Sequence, residues 1–141
     1  MLILDTELTV DGRAAALWGV WTDVERWAEW DPHEEEAHIH GRFETGATGF
    51  SKPRGAPPGE FTVVEAREPL RWVTRSGLPV GSLTFEHTID PVDDSKCRVR
   101  LRATAQGPMG VVVRIGWARA MRADAVLTLA ALGQRATTLA R

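Results

Sequence analysis

The sequence has little cysteine, no targeting signal and no long apolar run, and each absence excludes a class of protein. Cys97 is the only cysteine among 141 residues, which excludes a disulfide framework and a zinc site built from several cysteines. The apolar run at residues 125–132 contains Thr128 and is far shorter than the ~20 residues of a membrane span. The first ten residues lack a basic region and include Asp5 and Glu7, so we expect neither a signal peptide nor an anchor, and a cytoplasmic location.

The chain also lacks a large charge of either sign. It has 17 basic and 19 acidic side chains and is 43% apolar, a composition typical of one folded domain, which we place at residues 1–141. Eight arginines and one acidic residue fall in residues 97–141, an asymmetry that can mark a nucleic-acid surface. Arg98, Arg100 and Arg102, however, alternate with apolar residues, which predicts a solvated strand face paired with acidic neighbours. We therefore expect no nucleic-acid partner.

The N-terminal third predicts one strand followed by two short helices. Residues 1–10 alternate as a strand does, and Asp11 is a candidate N-cap for a helix that buries Leu17, Val20, Trp21 and Val24. Residues 22–25 fit a capping box that would open a second short helix with Trp27 and Trp30. Pro32 ends this pair, because the residue before a proline is pushed out of helical geometry.

The rest of the chain predicts six strands and then one long helix. Turn residues separate short β-like runs, and their short connections require antiparallel pairing. The predicted strands cover residues 34–42, 47–52, 60–67, 70–75, 80–90 and 96–106. Pro108 fits a helix first turn, and no further proline follows up to about Leu139. One long helix cannot cover both faces of a flat sheet, so the fold class is α+β: a seven-stranded antiparallel sheet curved around the helix.

This order of elements, together with several local stretches, resembles the polyketide cyclase/dehydrase and lipid-transport superfamily, the START-related or Bet v 1-like helix-grip proteins. The stretches that carry the resemblance are Leu17–Pro32, Gly41–Gly49, Leu70–Trp72, Phe85–His87 and Gly107–Met109. The resemblance implies a deep apolar cavity between the sheet and the C-terminal helix, open near the short helices. It implies no single activity, because members include ligand carriers, aromatases and cyclases, dehydratases, hormone receptors and chaperone-activating domains.

The tryptophans divide into two groups when this layout is applied. The sequence has six tryptophans, four phenylalanines and no tyrosine. We expect Trp18, Trp21 and Trp27 to pack in the core of the short helices. The family layout places the other three around the cavity, where an indole offers a flat apolar surface and one N–H donor to a planar ligand. Core filling remains the alternative for these three. The predicted ligand contacts are Trp30, Phe50, Phe61, Trp72, Phe85, His87, Trp117 and Met121.

His87 is the one internal acid–base candidate. It alternates with Leu83, Phe85 and Ile89, so the pattern turns its imidazole toward the interior. A partly desolvated imidazole can transfer protons near neutral pH or hydrogen-bond a ligand oxygen, and a hydrogen-bonded core histidine is the alternative. Glu86 should face the other side of the sheet.

Three polar residues on the second strand suggest a metal site, which the strand pattern then argues against. Glu36, His38 and His40 project to one side, as zinc ligands would. Ala37 and Ile39 should face the core, however, which turns the three polar residues toward water. We expect no metal and no cofactor, and the sequence has no nucleophile elbow or phosphate-binding glycine motif.

Together these patterns predict a protein that binds a hydrophobic, aromatic or polycyclic small molecule between the sheet and the C-terminal helix. The second hypothesis is a polyketide aromatase/cyclase or dehydratase that uses the same cavity, with His87 as acid or base. A partner-binding module is a third class, for which the sequence shows no exposed apolar stripe. We expect a monomer or homodimer without a membrane span.

Overall fold

A computed structural model describes residues 1–78, 80–108 and 118–139, and it has the predicted helix-grip architecture. The seven strands form one antiparallel sheet in the order β1-β7-β6-β5-β4-β3-β2, which curls as a half-barrel around the C-terminal helix. The strands are β1 (Leu2–Asp11), β2 (Glu34–His40), β3 (Thr48–Pro53), β4 (Gly59–Arg67), β5 (Arg71–Leu78), β6 (Gly81–Pro91) and β7 (Lys96–Gln106). The helices are α1 (Ala14–Trp21), a 3₁₀ turn (Val24–Arg26), α2 (Trp27–Trp30) and α3 (Ala118–Leu139). The predicted helix start, from Met109 to Trp117, lies outside the described residues.

The arginine-rich strand β7 lies in the sheet as its alternation predicts. Val99 and Ala103 are fully buried on the inner face, toward α3. On the outer face, Arg100 donates to the Asp5 carboxylate of β1 at 2.7 Å, and Arg102 forms an ion pair with Glu86 of β6. Two arginines of this basic strand are therefore neutralised by acidic residues of its neighbours.

Two predicted helix caps are wrong. Asp11 is the last residue of β1, and α1 begins after Arg13, which makes no side-chain cap. The Thr22 hydroxyl donates backward to the Trp18 carbonyl at 2.7 Å and therefore does not cap the following 3₁₀ turn. Glu25 instead accepts a hydrogen bond from the Ile39 backbone N–H at 2.8 Å. That N–H belongs to an edge strand, where it has no neighbouring strand to pair with, so the carboxylate satisfies it.

Three irregularities change which residues face inward. The register shifts between Leu2 and Leu4 in β1, between Glu34 and Glu36 in β2, and between Val63 and Glu65 in β4. Each shift reverses the alternation of side chains along its strand and bends the sheet.

The core lies between the sheet and α3. Leu129 and Leu132 of α3 and Leu17 of α1 are fully buried there. At Gly133, α3 approaches β1 so closely that an added Cβ would lie 2.7 Å from the Cβ of Val10. Within the described ranges, no helix is both long and apolar enough to cross a membrane.

Candidate functional site

The inner face of the sheet divides into a filled half and an open half. The filled half is an aromatic cluster in which each ring contacts at least one other. Its members are Trp18, Trp21, Trp27, Phe43, Phe61, Trp72 and His87. Trp72 lies at its centre, 2% exposed, with its indole stacked on the His87 ring at 3.4 Å between centroids and 4° between planes. Side chains thus occupy the space next to α1 and α2.

His87 faces the interior, and its surroundings keep it neutral. It is 7% exposed, and its Nδ1–H donates to the Trp72 carbonyl oxygen at 3.3 Å. Burial away from water lowers the pKa of His87 to about 3, because a charged imidazole is poorly solvated there. Near neutral pH the ring is therefore uncharged: it can form hydrogen bonds, but it carries a proton on only one nitrogen.

The open half carries apolar side chains that are only partly buried. We call this set the inner apolar wall, and its members are Leu78, Leu83, Phe85, Leu101 and Met121. They pack against a buried layer in which three of the five residues are the alanines Ala103, Ala105 and Ala125. Phe85 of β6 and Met121 of α3, both predicted ligand contacts, therefore belong to the same group.

A polar cluster lies where α2 meets β2 and touches α3, and we call it the acid corner. It consists of Asp31, His33, Glu34, Asp124 and Thr128. The Thr128 hydroxyl donates to Asp31 Oδ1 at 3.0 Å, and the His33 backbone N–H donates to the same oxygen at 2.9 Å. His33 Nδ1 lies 3.7 Å from Asp124 Oδ2, while its Nε2 is buried and has no hydrogen-bond partner within the described part of the chain.

Glu34 is the most perturbed carboxyl group of this corner. It is 7% exposed and points to the inner face, where the Ser51 hydroxyl donates to it at 2.8 Å and the Lys52 backbone N–H at 3.1 Å. Burial raises the pKa of Glu34 to about 7, and the nearby Asp31 carboxylate adds to the rise. Burial also raises the pKa of Asp31. Such a carboxyl group can gain and lose a proton near neutral pH.

Glu34 was not identified from the sequence because of the β2 irregularity. Ala37 and Ile39 face inward, and strict alternation would have turned Glu35 inward with them. The register shift between Glu34 and Glu36 turns Glu34 inward instead. A run of three glutamates gives no sequence signal as to which one is buried.

The remaining predicted contacts lie in different places. Phe61 and Trp72 lie in the aromatic cluster. Phe50 stands opposite His38 and Glu60 in the sheet, both exposed, so the register places it on the outer face. Trp117 lies outside the described residues.

Trp30 lies at the edge of the interior, packed against the core cluster that contains Trp72. It lines a surface groove of about 250 Å³ between α1 and α3, together with Gly19, Arg135 and Leu139. Its Nε1 is buried and has no acceptor among the described residues. The structure therefore brings Phe85 and Met121 together, and Phe61, Trp72 and His87 together. Trp30 packs at the edge of the core cluster of Trp72, and Phe50 belongs to neither set.

The histidines of β2 face water as expected. Glu36, His38 and His40 are exposed, and each His38 ring nitrogen contacts a separate carboxylate, Nδ1 at Glu25 (3.0 Å) and Nε2 at Glu36 (2.9 Å). Hydrogen bonds to Glu25 and then Glu36 raise the pKa of His38. Among residues 1–78, 80–108 and 118–139, no group of three or more potential ligands is arranged to hold a metal ion.

Comparison with known proteins supports the fold over the whole chain. The family model described as polyketide cyclase/dehydrase and lipid transport matches residues 1–137. No curated protein sequence matches the chain.

Solved structures share the fold at low sequence identity. The Zhui aromatase/cyclase from Streptomyces sp. R1128 superposes with a TM-score of 0.75 at 16% identity, covering 98% of this chain and 94% of that one. Norcoclaurine synthase from Thalictrum flavum gives 0.74 at 11% identity, with 98% and 95% covered. A START superfamily protein from Mycobacterium smegmatis gives 0.70 at 16% identity, with 96% and 97% covered.

Proposed function

Because the chain belongs to the polyketide cyclase/dehydrase and lipid-transport family, we propose that it binds a hydrophobic, aromatic or polycyclic small molecule between the sheet and α3. The observation that carries the proposal is the inner apolar wall, whose side chains face the interior yet remain partly open to water. A ligand that covers such surface gains roughly 25 cal/mol for each Å² of apolar area removed from water. Shape and a few polar groups then set the orientation of the ligand.

The proposal assigns the predicted residues to different roles. Phe85 and Met121 contact the ligand directly, and Trp117 remains a predicted contact. Phe61, Trp72 and His87 form the packed boundary of the site, where His87 serves as a neutral hydrogen-bonding group. We also propose that the protein is a cytoplasmic monomer or homodimer and that it needs no cofactor.

Two phenylalanines of similar burial allow a matched test. Phe85 belongs to the inner apolar wall, whereas Phe50 faces the outside of the sheet, and both are half-buried. We expect the fluorescent probe 8-anilinonaphthalene-1-sulfonate to bind the wild-type protein saturably. Phe85→Ala should weaken this binding about tenfold, which corresponds to the loss of one buried aromatic contact, and Phe50→Ala should leave it unchanged. Equal effects of the two substitutions, or no saturable binding, would refute the proposed site.

Native mass spectrometry of protein purified from its own host tests the ligand class. A co-purifying aromatic or polycyclic molecule supports the proposal. A polar ligand that binds saturably in the same place contradicts it.

The acid corner favours a second candidate function, a polyketide aromatase/cyclase or dehydratase. The Zhui protein is an aromatase/cyclase, and this chain shares its fold. In a cyclisation the Glu34 carboxylate would take a proton from a carbon beside a ketone, and the electron pair of that C–H bond would form the new bond to a second carbonyl carbon, whose C=O π pair moves to its oxygen. The protonated Glu34 would then return its proton to the resulting alkoxide. In a dehydration the C–H electron pair would instead form a C=C bond as the neighbouring hydroxyl departs, and the proton from Glu34 would make that hydroxyl water. The Glu34 pKa of about 7 suits both steps better than the neutral His87 does.

Two single substitutions separate the candidate acid–base groups. With a poly-β-ketone thioester analogue as substrate, Glu34→Gln should abolish cyclisation and leave probe affinity unchanged, whereas His87→Ala should retain measurable turnover. Full turnover by Glu34→Gln would exclude the role of this carboxyl. If His87→Ala lost turnover and Glu34→Gln did not, the histidine would be the acid–base group.

A further inference from the structure

The inner face of β5 carries two hydroxyl groups beside the inner apolar wall. Thr74 stands opposite Phe85 of β6 in the antiparallel ladder, and Ser76 stands opposite Leu83. Residues directly opposite each other in such a ladder point to the same face of the sheet. Both hydroxyls therefore point to the concave face, next to two members of the wall. The two residues are two positions apart on one strand, so their Cα atoms lie about 7 Å apart.

Thr74 is buried but has no hydrogen-bond partner among the described residues. The described part of the chain has three buried residues of polar or charged type, Glu34, Thr74 and His87. Glu34 accepts a hydrogen bond from Ser51, and His87 donates to the Trp72 carbonyl oxygen. The Thr74 hydroxyl, in a residue that is 5% exposed, forms no hydrogen bond with any residue that the structure describes. A buried hydroxyl without a partner costs free energy, whereas a methyl group of the same shape does not.

The surroundings of the two hydroxyls are apolar side chains and backbone that is already paired. Thr74 stands between Val63 of β4 and Phe85 of β6, so the backbone on both sides of it belongs to the sheet ladders. Ser76 is half-buried opposite Phe61 of β4, and its hydroxyl likewise forms no hydrogen bond within the described ranges. Both hydroxyls are therefore available to a molecule bound against the concave face.

We propose that Thr74 and Ser76 determine the specificity of the ligand site, and that the ligand carries hydroxyl or carbonyl oxygens along one edge. The apolar face of its ring system lies on Phe85 and Met121, while the oxygen-bearing edge points to β5. A hydroxyl group can donate and accept hydrogen bonds, so either kind of oxygen fits. The inference rests on the proposed function, because it narrows the class of ligand for the same site.

The charges on β5 and β6 favour neutral oxygens in the ligand. Arg75 lies between the two hydroxyls in the sequence, but it stands opposite Thr62 and Thr84 and points to the outer face of the sheet. The inward residues of β6 are apolar apart from His87, which is uncharged near neutral pH. These two strands therefore turn no cation toward the site that could hold a carboxylate, whereas their hydroxyls suit a neutral oxygen.

Two naphthalenes of the same shape measure this preference. 2-Naphthol carries a hydroxyl where 2-methylnaphthalene carries a methyl group, and displacement of bound 8-anilinonaphthalene-1-sulfonate gives the dissociation constant of each. We expect the preference for 2-naphthol, the ratio of these two constants, to fall about fivefold in Thr74→Val, the effect of one hydrogen bond between neutral groups, and further in Thr74→Val/Ser76→Ala. Affinity for 2-methylnaphthalene should not fall. The matched control is Thr84→Val, which removes a half-buried hydroxyl from the outer face and should keep the wild-type preference.

Urea unfolding of the ligand-free protein separates this role from a structural one. A hydroxyl without a partner does not stabilise the fold, so Thr74→Val should unfold at the wild-type urea concentration or a higher one. A lower midpoint would show that the hydroxyl holds the folded chain together and would overturn the inference.

The binding outcomes distinguish the inference from the proposed function. If both naphthalenes bind and Thr74→Val/Ser76→Ala keeps the wild-type preference, the inference is wrong and the proposed function stands. If neither naphthalene displaces the probe, or the probe itself does not bind saturably, both are wrong.

Discussion

Two buried titratable residues should drive stability in opposite directions as the solution becomes acidic. His87 has a folded-state pKa of about 3 against an ordinary value of 6.5, so protonation favours the unfolded chain, and stability is lost as the pH falls below that ordinary value. Glu34 has a folded-state pKa of about 7 against 4.5, so its proton binds more tightly to the folded chain. The contribution of Glu34 is fully present below the unfolded value and is lost as the pH rises through about 7.

The two effects are similar in size over the accessible range. Between about pH 7 and about pH 5, acidification costs roughly 2 kcal/mol of stability through His87 and adds up to about 2 kcal/mol through Glu34. We expect these contributions to cancel nearly completely in the wild type. Glu34→Gln should therefore lose about 2 kcal/mol on acidification relative to the wild type. His87→Phe, which keeps an aromatic ring stacked on Trp72, should gain a similar amount relative to the wild type.

Urea unfolding followed by tryptophan fluorescence tests this balance at the two pH values. The quantity to compare is the change in unfolding free energy between them, variant minus wild type, because the remaining titratable groups contribute equally to both. Glu60→Gln is the control for removal of an exposed carboxyl, and its difference should be near zero. The reasoning is refuted if the two variants show no difference from the wild type, or if their differences have the same sign.

Three further predictions concern packing. Gly49→Ala should destabilise the fold by about 3 kcal/mol, because the new Cβ would overlap the Phe61 ring and lie 2.6 Å from a carbonyl oxygen of β2; thermal unfolding measures the loss. Gly133→Ala should cost about 1 to 2 kcal/mol despite the better helix propensity of alanine, since its Cβ would lie 2.7 Å from that of Val10, and Val10→Ala in the same chain should recover part of the loss. Cys97 is 1% exposed and burial raises the pKa of its thiol, so a thiol-specific reagent should label it only as the chain unfolds; rapid labelling of the folded protein would contradict this.

The order of elements was predictable because each signal in the sequence is local. Turn residues separate the strands, and alternation identified the faces of β6 and β7, where the register is unbroken. The caps were not predictable. Thr22 and Glu25 have the spacing of a capping box, but the carboxylate binds an edge-strand N–H that comes from another part of the chain. Local pattern cannot show such a tertiary partner.

The site was less predictable because side-chain direction depends on irregularities. A register shift turns Glu34 inward. Phe50 lies on the outer face, and its strand is too short and too mixed in composition for alternation to show this. The prediction that separated Trp27 from Trp72 also differs from the packing, since these two indoles stack at 6.0 Å in one cluster. Their elements are distant in the sequence, and only the closed fold brings them together.

The distribution of side-chain size explains why the two halves of the concave face differ. Along the inner face of β7, Cys97, Val99 and Leu101 give way to Ala103 and Ala105, and α3 changes in parallel from leucines to an alanine toward its start. Where β7 and α3 carry large side chains, indoles and leucines fill the space between the sheet and the helix. Where they meet alanines, the neighbouring large side chains stay partly open, because small residues leave volume that a close-packed core would otherwise occupy. A gradient of this kind stabilises one end of the grip as a core and leaves the other end, near the contact between Asp31 and α3, less completely filled; this is the end at which the proposed ligand would bind.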